Sequence, residues 1–290
     1  MPALKFRVQQ VVARLECGPH PERARLDAET LLLHVLGKNK AWLLTHPEEE
    51  ISNDRAARYN RLVERRYAGE PIQYITGRQE FYGLPFRVTP NVLIPRAETE
   101  HLVEKVLSLA SGFDRLRIVD VGTGSGAIAV ALAHRLPHAE ITALDISLAA
   151  LEQARANAEQ NGVAGRVRFV QSDLLAAVAS GKFEVVVSNP PYVATTDRES
   201  LSVEVREHEP ALALFAGNDG LDVYRRLIPA AFAVLESGGF LAVEVGYGQS
   251  QAIAELMTPA GFEGIEFAPD LQGIARVGCG RRPQEPVHDL

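Results

Sequence analysis

Two consecutive prolines, Pro190 and Pro191, lie just beyond an apolar, β-branched run, Phe183-Glu184-Val185-Val186-Val187. Such a run reads as a strand buried on both faces, the pattern of a parallel sheet. The strand cannot continue into Pro190. Its ring fixes φ, removes an N–H donor and steers Asn189 away from the helical region. The chain must therefore turn at the carboxyl end of the strand, in a stiff corner made of Ser188-Asn189-Pro190-Pro191-Tyr192. The corner offers two acceptors, the Asn189 side-chain oxygen and the Pro190 carbonyl, beside the ring of Tyr192. Two acceptors and an aromatic face suit a planar NH2 group. A Pro-Pro turn with Tyr192 as core filler is the plainer alternative, and the motif upstream weighs against it.

Around this corner the chain alternates strand and helix. A short run at 117–121 ends in Gly122-Thr123-Gly124-Ser125-Gly126, followed by a helical stretch over 127–136. A second strand, 140–144, ends in Asp145. A helix capped by Ser147 and closed at Gly162 leads to a third strand, 166–171, ending in Ser172-Asp173. The corner closes the fourth strand. A long loop follows, then a helix over 221–235, a fifth strand over 240–245, and weaker strands at 263–268 and 274–279. This alternation predicts an α/β fold: a doubly wound, mostly parallel seven-stranded sheet, with its ligand at the carboxyl ends of the strands.

Residues 1–70 predict a small all-helical domain, with Ser52-Asn53-Asp54 capping its third long helix and Trp42 in its core. Between Pro71 and Pro95 the period changes to that of a β-hairpin around Gly83-Leu84-Pro85, and Glu98-Thr99-Glu100 then opens a helix. The expected domains are thus 1–70, a hairpin linker over 71–96, and 97–284. A helical domain without catalytic side chains reads as a substrate-docking module or as inert packing.

With 290 residues, 46% hydrophobic and 23% charged, the chain can bury a sizeable core. Cys17 and Cys279 stand at opposite ends and the eight histidines are scattered, so neither a disulfide framework nor a metal site is expected. No apolar run is long enough for a membrane span, and Met1-Pro2-Ala3-Leu4-Lys5 does not read as a signal peptide. A cytoplasmic monomer is expected. The net charge of −7 argues against a life on nucleic acid.

The glycines of 122–126 let backbone approach a ligand closely, and the following helix N-terminus offers free N–H groups. Asp145, at the end of the next strand, is placed to take both hydroxyls of a ribose. Gly122, Gly124 and Ala127 also satisfy G-x-G-x-x-A, so this motif alone leaves a dinucleotide open. S-adenosylmethionine would set its methionine tail at the loop, its ribose on Asp145 and its adenine near Asp173 and Leu174. Asp173 reads equally well as a cap for a helix over 174–179. The corner separates these options. A nicotinamide enzyme needs a group that handles a carbonyl or hydroxyl proton, and the corner supplies none. A methyltransferase acting on a conjugated NH2 needs what it has. The amide lone pair is tied up in resonance. Two acceptors orient the nitrogen and raise its electron density, and positioning then supplies much of the acceleration without a strong base.

These residues resemble the bacterial release factor glutamine methyltransferases, a branch of the class I S-adenosylmethionine-dependent enzymes. The likeness runs through Gly69-x-Pro71-x-x-Tyr74-x-x-Gly77-x-x-Glu80-Phe81, Leu93-Ile94-Pro95-Arg96-x-Glu98-Thr99-Glu100, and Asp120-x-Gly122-Thr123-Gly124-Ser125-Gly126. It continues in Asn189-Pro190-Pro191-Tyr192, a loosened Glu209-Pro210-x-x-Ala213-Leu214, Asp219-Gly220-Leu221 and the tail Asp270-Leu271-Gln272-Gly273-Ile274-Ala275-Arg276. Ala97, where the family often carries a second proline, is a departure that touches local rigidity. The resemblance implies methylation of the glutamine amide in the Gly-Gly-Gln tripeptide of peptide chain release factors. It implies catalysis by Asn189, Pro190 and Tyr192, with Pro191 also touching substrate. The implied cofactor contacts are Gly122, Thr123, Gly124, Ser125, Gly126, Asp145, Asp173, Leu174 and Asn189, and the front domain engages the protein substrate. Adenine amino-methyltransferases carry the same corner, but they need a basic groove to bind duplex and extract a base. A glutamine methyltransferase acting on a ribosomal protein is separated only by the Ile94-Pro95-Arg96 block. A binding module that has merely kept the fold is disfavoured, because every motif position is filled.

Overall fold

The computed structural model describes residues 3–113, 115–270 and 272–284. Met1 and Pro2 of the amino terminus and Leu271 of the tail block lie outside them. The chain begins with five helices: α1 (Leu4–Leu15), α2 (Ala24–Leu36), α3 (Lys40–Thr45), α4 (Asn53–Tyr67) and α5 (Ile72–Thr76). In α1 the apolar spacing buries Leu4, Val8, Val11 and Leu15 on one stripe. Asn39 caps α3 by accepting the Trp42 N–H (2.9 Å), and Ser52 caps α4. Trp42 is only half-buried; its ring stacks on His46 at 4.7 Å between centroids.

Arg66, on the buried stripe of α4, is a charge in a core position, 2% exposed. Its Nε donates to Asp27 Oδ2 (2.6 Å), itself 1% exposed, and Nη1 donates to the Glu70 carbonyl oxygen (3.0 Å) and to the Glu204 carboxylate. Paired and hydrogen-bonded in this way, a buried guanidinium is tolerated. The partner Glu204 comes from far down the chain. One compact unit comprises the residues up to Arg78 together with Leu201–His208, and the other holds everything else.

The hairpin pairs β1 (Arg78–Phe81) with β2 (Leu84–Arg87). Its tight loop is Tyr82-Gly83, both at positive φ (53° and 72°), one residue ahead of the turn expected at Gly83-Leu84-Pro85. A two-residue loop that follows the strand twist needs both central residues there.

Beyond it, α6 (Glu100–Ala110), β3 (Arg117–Val121), α7 (Ala127–Arg135), β4 (Glu140–Asp145), α8 (Leu148–Gln160), β5 (Val167–Gln171) and β6 (Phe183–Ser188) alternate. They are followed by α9 (Val203–His208), α10 (Asp222–Val234), β7 (Leu235–Glu244), α11 (Ser250–Met257), β8 (Glu263–Pro269) and β9 (Ala275–Arg281). The seven strands order as β5-β4-β3-β6-β7-β9-β8, with β9 antiparallel to both neighbours and the rest parallel. The doubly wound sheet expected from the sequence is therefore present. β7 starts five residues before the expected position, because Leu235 already pairs with Phe183 ahead of a bulge. The sheet is covered on both faces. Val185 and Val187 of β6 face a core with Leu102 and Val106 of α6 and Val130 of α7, while Val186 faces Tyr224, Leu227 and Ile228 of α10. Alternate residues of one strand thus fill two cores, which is why the run is apolar throughout.

The chain winds outward from β3 through β4 to β5, then returns to place β6 on the other side of β3. The strand order reverses between β3 and β6, and the crevice beyond their carboxyl ends is where such folds bind ligands.

Candidate active site

Both motifs singled out in the sequence leave the sheet at this reversal. Val121 of β3 sits opposite Ser188 of β6, and the Ser188 hydroxyl donates to the Val121 carbonyl oxygen (2.7 Å). The glycine loop and the proline corner therefore emerge side by side.

The loop is held from beneath. The N–H groups of Gly122 and Thr123 both donate to the Leu144 carbonyl oxygen at 2.8 Å, tying the loop to the end of β4. Thr123 is buried and its hydroxyl donates to Asp120 Oδ2 (2.6 Å); Ser125 is buried too, its carbonyl accepting from Asn157 Nδ2 (2.8 Å). What these two residues offer a ligand is backbone. A Cβ built on Gly122 meets nothing within 4 Å, and one on Gly124 meets only the Gly122 carbonyl oxygen at 4.0 Å. The space a side chain would occupy is left free, as an approaching ligand requires.

Asp145 completes this half of the site. One carboxylate oxygen accepts from Gly124 N–H (2.8 Å) and the other from Ser147 N–H (2.9 Å). Each oxygen keeps lone-pair capacity for a further donor, and the fixed carboxylate suits a vicinal diol. Burial pushes its carboxyl up, against the pull of these backbone donors. The open glycine cradle and this carboxylate fit the methionine tail and ribose of S-adenosylmethionine. Asp120, fully buried behind the loop, is raised further: burial takes it up to about 7 despite the Thr123 hydroxyl and the Ala129 backbone.

Asp173 and Leu174 lie at the end of β5, the next strand out. The Asp173 carboxylate forms an ion pair with Arg226 Nη2 (2.6 Å). It does not cap the segment that follows. The expected helix over 174–179 is only a 3-10 turn at Ala176–Val178, begun at Leu175 without a side-chain cap, and the Ser172 hydroxyl accepts the Ala177 N–H (3.0 Å). Leu174 adopts φ 47°, unusual for a branched residue and of the kind that clusters at functional positions.

The corner is held by three residues whose role there the sequence did not mark, Thr99 of the 93–100 block, Glu244 and Gln249. Asn189 Nδ2 donates to Thr99 Oγ1 (3.1 Å), whose own hydroxyl donates to Glu244 Oε2 (2.6 Å). The Tyr192 hydroxyl donates to the other oxygen, Glu244 Oε1 (3.2 Å). Gln249 Nε2 donates to the Tyr192 carbonyl oxygen (2.9 Å). Pro190 is buried; Asn189, Pro191 and Tyr192 are half-buried. Of the 93–100 block, Thr99 reaches the corner, whereas Arg96 pairs with the Glu209 carboxylate. Burial raises the Glu244 carboxyl, with the Thr99 and Tyr192 hydroxyls opposing.

The PrmC N-terminal domain family matches residues 8–77 and the methyltransferase small domain family matches residues 98–206. Over 281 residues, the chain is 44% identical to the release factor glutamine methyltransferase of Koribacter versatilis, covering 97% of this chain and 99% of that one. It is 44% identical to the same enzyme of Moorella thermoacetica, with 97% and 99% covered. The chain belongs to the release factor glutamine methyltransferase family. Among solved structures, the chain shares its fold with the hMettl16 catalytic domain in complex with the MAT2A 3′UTR hairpin 6. There the TM-score is 0.56 at 18% identity, over 82% of this chain and 84% of that one. A methyltransferase from Pyrococcus furiosus gives a TM-score of 0.50 at 20% identity, over 70% and 90%.

One signal for a missed residue was present in the sequence. Glu244 is a carboxylate inside Phe240-Leu241-Ala242-Val243-Glu244-Val245, an otherwise apolar strand end. A lone charge there demands partners. Thr99 stood inside the 93–100 block, but a threonine in a first helical turn does not by itself announce a distant partner.

Proposed function

We propose that this chain transfers a methyl group from S-adenosylmethionine to the side-chain amide nitrogen of the glutamine in the Gly-Gly-Gln tripeptide of peptide chain release factors, at the corner 189–192. The observation carrying this reading is the pairing of Val121 with Ser188, which sets the acceptors of the corner beside the glycine loop. When bound, S-adenosylmethionine supplies an electrophilic methyl on its sulfonium. Gly122 and Gly124 bring backbone to the methionine tail, Asp145 takes the ribose hydroxyls, and Asp173 and Leu174 border the adenine. Thr123, Ser125 and Gly126 hold the loop in shape.

Asn189 Oδ1 and the Pro190 carbonyl accept the two hydrogens of the glutamine NH2, while Pro191 and Tyr192 pack on the amide plane. Holding both N–H bonds orients the nitrogen and loosens its lone pair from resonance. The proton leaves after transfer, so no strong base is required of the chain. The helical unit engages the release factor. No helix among the described residues is long and apolar enough to cross a membrane. We place the reaction in the cytoplasm, where translation factors work, and take the monomer as the working unit because one chain supplies every site residue named here.

The test is labelled methyl transfer from S-adenosylmethionine to three acceptors: intact release factor, release factor with the tripeptide glutamine replaced, and DNA. Label is expected on the first alone. Label on DNA, or on the glutamine-free factor, overturns the reading.

A further inference from the structure

We infer that Thr99 and Glu244 are positioning residues that lock the Asn189 side-chain amide with its oxygen toward the substrate glutamine. This rests on the reading of Asn189 Oδ1 as an acceptor for the substrate NH2. The oxygen and nitrogen ends of an asparagine amide are nearly identical in size, so packing cannot choose between them; only hydrogen bonding can. Turned the wrong way, Asn189 would present NH2 to an NH2, donor against donor.

Donor bookkeeping fixes the choice. With Glu244 ionised, the state that the two hydroxyls donating to it favour, the carboxylate only accepts. The single hydroxyl hydrogen of Thr99 is committed to Glu244 Oε2 at 2.6 Å. Toward Asn189, at 3.1 Å, Thr99 therefore offers only a lone pair, and only the NH2 end of the amide satisfies it. Thr99 is 4% exposed and Glu244 3%, so water does not compete for either group. The second carboxylate oxygen of Glu244 accepts the Tyr192 hydroxyl and restrains the ring. One buried carboxylate thus orients two of the corner's groups without touching the substrate.

Three variants test this: Thr99→Val, which keeps the shape and loses the hydroxyl, Thr99→Ser, which keeps the hydroxyl, and Glu244→Gln, which turns one acceptor into a donor. The first readout is the side-chain 15N–1H2 pair of Asn189 in the ligand-free protein, assigned by its disappearance in Asn189→Ala. The parent and Thr99→Ser are expected to show one slowly exchanging pair, and Thr99→Val a shifted pair in fast exchange with water. The second readout is kinetic. At saturating release factor, kcat is expected to fall about tenfold or more in Thr99→Val and Glu244→Gln, the scale of one net hydrogen bond at the reacting amide, and to recover in Thr99→Ser. Affinity for S-adenosylmethionine is expected to stay within about twofold, since the hydrogen bonds of both residues go to each other and to the corner. An Asn189 pair unmoved in Thr99→Val overturns the lock, and a moved pair with parental kcat overturns its role in catalysis. If Thr99→Val fails to fold, Glu244→Gln carries the same two readouts. A parent chain that does not methylate release factor would overturn the function instead, and the resonance readout on the free protein would still decide the lock.

Discussion

A Cβ placed on Gly220 would lie 2.3 Å from the carbonyl oxygen of Tyr192 and 2.8 Å from Gln249 Nε2, the donor to that same oxygen. Gly220 also sits at φ 75°, where other residues are strained. The closeness is to backbone, which cannot swing aside. Gly220→Ala is expected to displace the corner, destabilising the protein by about 1–3 kcal/mol and lowering kcat more than tenfold. Because the glycine loop leaves a different strand, affinity for S-adenosylmethionine is expected to survive. Chemical denaturation and calorimetric titration check the two halves; parental kcat would mean that the corner tolerates the shift.

Asp145 and Asn189 are expected to separate binding from turnover. Asp145→Ala removes charge-assisted hydrogen bonds worth about 1.5–3 kcal/mol, so S-adenosylmethionine affinity falls by about 2 kcal/mol or more. The same change frees the Gly124 N–H, so Asp145→Asn, which keeps one acceptor, is expected to lose less. Asn189→Ala leaves cofactor affinity within a few-fold and lowers turnover on the order of a hundredfold at saturating release factor, through a misplaced nitrogen. Titration calorimetry and steady-state kinetics on folded variants decide; equal losses in both properties would merge the two roles.

Asp120 makes stability depend on pH. Burial raises its carboxyl from the ordinary 3.8 up to about 7 in the folded protein. With the folded value above the unfolded one, the contribution is fully present below about pH 4 and is lost as pH rises through 7. Three pH units correspond to about 4 kcal/mol as an upper scale. Asp120→Asn retains an acceptor for the Thr123 hydroxyl and cannot ionise. Its stability relative to the parent is therefore expected to improve steadily from pH 5 to pH 8. Denaturant titrations of both proteins at several pH values measure it, and a constant difference would show that Asp120 ionises normally.

Arg66→Met is expected to cost about 3 kcal/mol, because it leaves the buried Asp27 carboxylate only the more distant, half-exposed Arg23 at 3.5 Å. Glu204, a quarter exposed on its side chain, finds water and adds little. Arg66→Lys keeps the charge but not the fork that bonds Asp27, Glu70 and Glu204, and is expected to fall between. Denaturation of the full chain gives the numbers. A loss under about 1 kcal/mol would show that the cluster does not hold α4 in place.

The strands and the two motif loops were legible because their signals are local. A β-branched run stopped by glycines or by two prolines states its own conformation within about six residues. The supports of the corner were not legible. Thr99 and Glu244 meet across 145 residues of chain, and neither side chain announces the other. Asp173 illustrates the same limit from the other side: its position made a cap as plausible as a binding role, and only Arg226, 53 residues on, shows where the carboxylate goes. The early start of β7 was not legible either: the strand was expected from 240, and Leu235 already pairs with Phe183 across an irregular register.

The return of Leu201–His208 to the helical unit bears on how the protein is made. Domains usually mature in the order in which they leave the ribosome. Here the first 78 residues emerge with an opening in their charge cluster, and Glu204, 138 residues beyond Arg66, joins it only later. By then the glycine loop, Asp145 and the corner are already outside the exit tunnel. So long a closure is slow compared with helix formation. A nascent chain paused anywhere before residue 201 therefore carries an incomplete first unit, and that unit becomes whole only when β3 to β6 of the second have been made and β7, β8 and β9 have still to follow.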